Sequence, residues 1–473
     1  MTGAARLELD LLRERVSGSA YCAAHGYALD PGWLDESGGF RTTHGEIRRM
    51  KNVCLRQLAA AGLVAIATFA QLAGADLPPR EWIDADTGHR VIRLSPDSGG
   101  SSLYFHQRTY TASGDRLVID TADGITTVDL TTLGTGPTRT ELIVPGARTL
   151  ALATRTREVY FRRDDALLAA DLDTKAVREV AKLPPQVGRN GALAVNADET
   201  IVVGIAPDPD GRTEPRTPPP GGGGGRLEPR WAQGTAMMIY TIDTKTGAFR
   251  KIHTEHDWTN HLQTSPTDPG QILFCHEGPW HYVDRIWGLR TDGSDLRLLH
   301  QRTMDLEIAG HEFFSGDGRT VWYDLQTPKS GVFWVAGVNL ATGERTRYHL
   351  QRIEWSVHYN VSPDGTLFAG DGGGPASVAA RRMDGTTITP AANGQWIYLF
   401  RPVLANNAAR VFPEQKDLTR VGYFQAERLV NMSNHNYQLE PNVTFPPNGK
   451  WIVFRSNMHG ATHTYAVEIR KSP

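Results

Sequence analysis

The chain reads as an all-β protein, a seven-bladed β-propeller of four-stranded antiparallel blades, and three observations predict this. Seven stretches repeat one plan, a polar turn followed by an apolar strand. They are Thr111–Ile119, Thr154–Phe161, Asn196–Ile205, Thr267–Phe274, Ser315–Tyr323, Ser362–Gly370 and Pro446–Phe454. Spacings of roughly 40–50 residues per turn-strand unit are those of a radial repeat with one blade per unit. Asp-Gly and Asn-Gly pairs recur between short β-branched and aromatic runs, as hairpins require. The 48 glycines and 28 prolines also suit turn-rich sheet better than helix.

In chain order, residues 1–75 stand apart from this pattern. From Met50, Lys51 and Arg56 provide a basic start, Leu58 to Phe69 an apolar stretch, and Ala73-Gly74-Ala75 a small-residue cleavage pattern. This is the plan of a secretory signal peptide, and the stretch is too short to read as a membrane span. The expected organisation is therefore an upstream segment (1–49, mis-assigned or disordered), a signal peptide (50–75), and one propeller domain (76–473). Translation from Met50 gives a periplasmic or secreted protein without stable membrane insertion. Otherwise the protein stays in the cytoplasm. Of Cys22, Cys54 and Cys275, only the last would remain after cleavage, which excludes an internal disulfide and a cysteine zinc cluster.

Along the propeller, Ala169–Val177, Tyr240–Phe249 and Val338–Thr346 read as outer hairpins of blades. Two intervals are long. Residues 206–230 are rich in proline and glycine, and read either as a lid over the axial mouth or as a surface insertion. The interval from Thr389 to Pro446 reads as a larger loop or an irregular blade edge. The formal net charge of −2 gives no electrostatic case for nucleic acid.

Candidate chemistry gathers where a propeller brings its inner strands together. His253, His256, His261, His276 and His281 cluster in sequence, and His311 and His358 occupy matching places just before Ser315 and Ser362. Gln438, Glu440 and Asn442 alternate with Leu439, Pro441 and Val443, so an extended strand would put three oxygen-bearing side chains on one face. With His311 they would make a nitrogen and oxygen site for a divalent cation such as Mn²⁺ or Ca²⁺. Arg108, in Tyr104–Tyr110, is placed to pair with an axial carboxylate. Its neighbour Gln107 is a candidate sugar contact, as are His276 and His358. No GxSxG, phosphate loop or HExxH is present.

Taken in order, Asp86–Leu94 (DTGHRVIRL), Tyr104–Arg108 (YFHQR), Trp258–His261 (WTNH), Cys275–Pro279 (CHEGP), His311–Phe314 (HEFF) and Ser362–Gly372 with His358 resemble the oligogalacturonate lyase family. The resemblance implies a seven-bladed propeller that cleaves short uronate oligosaccharides by β-elimination with Mn²⁺. It places the base at His261 and a metal-binding histidine at His311; the place of the family's arginine falls near Met238 in an apolar strand, so Arg108 is the candidate for assisting the carboxylate. The family's C-terminal His-x-His pair is replaced here by Glu440 and Asn442. A lyase for another uronate glycan, or a non-catalytic TolB-like periplasmic propeller binding sugars or proteins, are the alternatives.

Overall fold

The computed structural model describes residues 77–471, apart from 186, 188–192, 219–226, 280–281, 389–394 and 406–417. The expected upstream segment and signal peptide, and His281, lie outside the described residues. Pro78–Pro473 form one compact unit.

Six of the repeated turn-strand phrases become the second strand of successive antiparallel meanders, and the seventh supplies Trp451–Ser456 at one edge of its sheet. Five sheets are separate four-stranded units, and one eight-stranded sheet is two such meanders joined edge to edge, which makes seven groups of four. The joint is a parallel pairing of Arg345–Leu350 with Arg420–Asn431. The last group interleaves both ends of the chain, because Arg90–Arg93 pairs with His463–Glu468. A circle of sheets closed in this way leaves no end sheet exposed.

Apolar side chains on both faces of each sheet fill the space between neighbours. Tyr160, Leu167, Val202, Met238 and Tyr240 form one such layer, and Leu273, Ile286, Val321, Tyr323 and Ala336 another. The innermost strands Ala151–Ala153, Leu193–Val195, Trp258–Thr264 and Ile308–Phe314 therefore stand side by side around the axis.

The polar turns close the inner strands by a shared hydrogen bond. Thr111, Ser265, Ser315 and Ser362 donate their amides to Arg116, Gln271, Thr320 and Leu367 respectively. Gly318 in this turn has φ of 70°, a left-handed conformation that a side chain resists. A Cβ there would also meet Ser265 Oγ at 2.6 Å.

The two long intervals resolve differently. Trp396–Leu404 and Arg420–Asn431 form one long antiparallel hairpin, which explains the length of the sixth repeat. The described flanks of the proline- and glycine-rich insertion pack on the fourth blade. Helix α1 (Leu227–Gln233) puts Arg230 over the ring of Trp258 at 3.5 Å, and Arg216 lies 5.3 Å from the Trp231 ring centroid.

Candidate active site

Four imidazoles and a phenol meet on the axis. The His261 and His311 rings stack with centroids 5.9 Å apart, and His311 meets the edge of His358 at 4.8 Å. Tyr104 lies 5.7 Å from His261 and 5.1 Å from His358, and His106 lies 5.6 Å from His261.

The local cause is a repeated backbone distortion. His261, His311 and Asn442 have φ of 48°, 50° and 54°, values uncommon for residues with a Cβ. The strands of His261 and His311 each slip register at that point, between Asn260 and Gln263 and between Gly310 and Phe313. Such bulges re-aim a side chain. Counting back from the polar turns, Gln107, His261, His311, His358 and Asn442 occupy one equivalent position in five repeats.

Carboxylates stand behind the imidazoles. His358 Nδ1 is 2.8 Å from Asp371 Oδ2, both residues fully buried, and its Nε2 is 3.1 Å from the Tyr104 hydroxyl. His261 Nδ1 is 3.4 Å from Glu312 Oε1, and its Nε2 is 3.9 Å from Glu277. Burial, with the neighbouring His358, His261 and Arg285, pushes the His311 imidazole well below its ordinary range, so it is neutral. Burial and the neighbouring His261 and His358 do the same to His106. Burial and the carboxylates of Glu440, Glu312, Glu277 and Asp371 push the Tyr104 phenol up, so it keeps its proton.

Arg285 is a cation of this cluster, and sequence reasoning missed it. It is 2% exposed and donates to Glu277 at 2.9 Å. Burial opposes ionisation of Glu277, but Arg285 and His261 hold its carboxyl down at about 2. His106 was also missed, although it sits inside the YFHQR phrase beside two residues that were singled out. Arg285 follows the CHEGP phrase with no motif of its own, so only its position across the strand pair identifies it.

Several expected site residues are placed elsewhere. Arg108 does not face an axial carboxylate. Its guanidinium donates to the main-chain oxygens of Val195 (3.0 Å), Thr264 (3.2 Å) and Ser265 (2.7 Å), tying the first repeat to the third and fourth blades. Burial lowers it to about 10, still protonated at neutral pH. Three main-chain oxygens satisfy it, which removes the need for a carboxylate. Replacing it as Arg108→Met is expected to cost at least ~2 kcal/mol of stability, read as a lower urea midpoint, because buried carbonyls lose their donors. Gln107 turns into its own loop, where Oε1 accepts the Tyr104 amide at 2.9 Å.

His276 also leaves the axial group. Strand Gln271–Glu277 puts alternate residues on opposite faces, so Cys275 and Glu277 share one face and His276 takes the other. There His276 Nε2 meets Glu255 at 2.8 Å and its ring stacks on Trp287.

The C-terminal metal set is not one face of a strand. Leu439 closes a turn onto Asn436, and Gln438 is exposed on it. The Asn442 amide is already used, its Oδ1 accepting from Phe105 N–H at 3.0 Å and its Nδ2 donating to Glu440 O at 2.9 Å. Proline at 441 and the left-handed Asn442 break the alternation that the sequence suggested. Glu440 does reach the axis, with Oε2 3.8 Å from His358 Nε2. These two atoms can each lie about 2 Å from one shared ion, and imidazole with carboxylate is a donor set that suits manganese. The residues present therefore fit a divalent cation at His358 and Glu440, with His311 adjoining.

A family model described as oligogalacturonate lyase matches residues 75–473. The oligogalacturonate lyase of Dickeya dadantii (strain 3937) is 26% identical over 395 residues, covering 82% of this chain and 95% of that protein. The oligogalacturonide lyase of Pectobacterium atrosepticum is 25% identical over 395 residues, with coverage of 82% and 95%. Among solved structures, an oligogalacturonate lyase in complex with manganese has a TM-score of 0.64 at 22% identity, covering 83% of this chain and 96% of that one. The oligogalacturonate lyase of Vibrio parahaemolyticus has a TM-score of 0.65 at 21% identity, with the same coverages, 83% and 96%. These two likenesses support the propeller fold.

Proposed function

This chain belongs to the oligogalacturonate lyase family, and we propose that it cleaves short oligogalacturonates by β-elimination with His261 as the base. The observation that carries the role of His261 is the Glu312 carboxylate behind its Nδ1. Although no hydrogen bond joins them, the carboxylate's charge favours the tautomer with its proton on Nδ1, which leaves the Nε2 lone pair free to act.

The C5 proton of a uronate is weakly acidic, so the adjacent carboxylate must be neutralised as the proton leaves. Arg285 supplies fixed positive charge beside His311, a task the sequence reading gave to Arg108. His261 takes the proton, the C5–H electron pair becomes the C4–C5 double bond, and the C4–O bond breaks. Tyr104, kept protonated beside His261, has a proton for the departing oxygen. A divalent cation, manganese by likeness to the manganese-bound neighbour, would be held by His358 and Glu440 and would withdraw electron density from the uronate carboxylate. Glu440→Gln is expected to weaken manganese binding at least about tenfold in equilibrium dialysis, while Gln438→Ala leaves it unchanged.

A second reading exchanges the roles of His261 and His311, because the surroundings of His311 keep its imidazole neutral. The acid limb of the kcat/KM profile separates the two. His311 as base, with its pKa depressed by burial, would stay unprotonated and so active well into acid. Loss of metal in His311→Ala would instead favour the ligand role.

The deciding experiment incubates protein expressed from Met50 with galacturonate and glucuronate oligomers, with and without manganese, and identifies products by mass. Unsaturated products from galacturonate oligomers are expected, and their absence under every condition overturns the lyase reading. Binding without turnover is what the sugar-binding propeller alternative requires.

We also propose export. The basic start at Lys51 and Arg56, the apolar stretch and Ala73-Gly74-Ala75 support it. No helix among the described residues is long and apolar enough to cross a membrane. N-terminal sequencing of the periplasmic fraction should find a start near Asp76, and an uncleaved cytoplasmic product would overturn export.

A further inference from the structure

The fourth and fifth blades bring together a second set of metal donors, two of which, His261 and Glu312, also serve the elimination. His261, Cys275 and Glu312 each offer one ligand atom, all within 4.8 Å of one another. Cys275 and Glu312 are fully buried. Among the described residues neither Glu312 oxygen is hydrogen-bonded, and its one ion-pair contact within 4 Å is His261 Nδ1. A buried carboxylate without donors is costly, which points to a missing positive charge.

The nearby guanidinium supplies it only in part. Arg285 pairs with Glu277 at 2.9 Å and lies 3.7 Å from Cys275 Sγ, so its single charge is shared among Glu277, Cys275 and Glu312. Glu312 and a Cys275 thiolate would together balance a doubly charged ion. Burial and the Glu312 carboxylate push the Cys275 thiol well up, so it carries its proton in the metal-free protein. Metal binding would release that proton to solvent. The donors are one sulfur, one nitrogen and one oxygen. This set suits zinc, whereas manganese prefers oxygen and imidazole.

We propose that His261, Cys275 and Glu312 form a zinc site, distinct from the pair at His358 and Glu440. Zinc on the Nδ1 that faces Glu312 leaves the imidazole's one proton on Nε2, the nitrogen that serves as base, so it inhibits the lyase. The inhibitory half rests on the role given to His261 above, and the binding half does not.

Cobalt(II) chloride is the probe for the binding half. Titrated into chelator-treated full chain, it is expected to give a thiolate-to-cobalt charge-transfer band at one equivalent, displaced by zinc and absent in Cys275→Ala. No band in folded wild-type protein, or a band that persists in Cys275→Ala, overturns the site whether or not the chain proves to be a lyase. For the inhibitory half, zinc chloride is added to the manganese-loaded enzyme acting on trigalacturonate. Cys275→Ala should keep its activity and need at least about tenfold more zinc for half inhibition. Equal zinc sensitivity of the two proteins overturns that half.

Discussion

His261→Ala is expected to slow oligogalacturonate cleavage by about 10²–10⁴-fold in kcat, with little change in KM and an unchanged circular dichroism spectrum. That is the range in which a positioned proton acceptor contributes to a rate. The side chain is only partly exposed and makes no hydrogen bond on which a strand depends, so its removal should leave the sheet intact. Glu312→Gln should reproduce part of the loss, because an amide cannot hold the Nδ1 proton as a carboxylate does. Activity of His261→Ala within about fivefold of wild type would remove His261 from the role of base and favour His311.

Arg285→Met is expected to be the most destabilising single change in the site, by about 3–5 kcal/mol. It would leave Glu277, 7% exposed, as an uncompensated buried charge. The midpoint of chemical denaturation measures this. A double variant, Arg285→Met with Glu277→Leu, removes both charges and should recover most of the stability. It should not recover cleavage, because the positive charge near the uronate carboxylate is still missing. Recovery of both would make the pair purely structural.

Much of the frame was legible because it is written in short-range chemistry. Polar turns such as Ser315–Gly318 and Ser362–Gly365 announce their strands, and the alternation after them tells which residues are buried. The matching places of His311 and His358 before those turns carried through to a shared position on the axis. The C-terminal set failed for a local reason. Pro441 and the left-handed Asn442 interrupt the alternation on which a shared face depended. Arg108 failed for a different one, since a guanidinium close to the axis can be satisfied by carbonyls as well as by a carboxylate.

The repeat, the all-β architecture and the family are properties of the sequence alone, because each rests on residues within one turn and its strand or on phrases in fixed order. Which side chains meet is decided only by closure of the circle. Closure sets His358, from the sixth repeat, against Tyr104 from the first and Glu440 from the last. It also brings Glu312 of the fifth blade to His261 of the fourth. Those pairings depend on bulges that turn His261 and His311 inward and on contacts between residues far apart in the chain, and neither has a signature in local alternation.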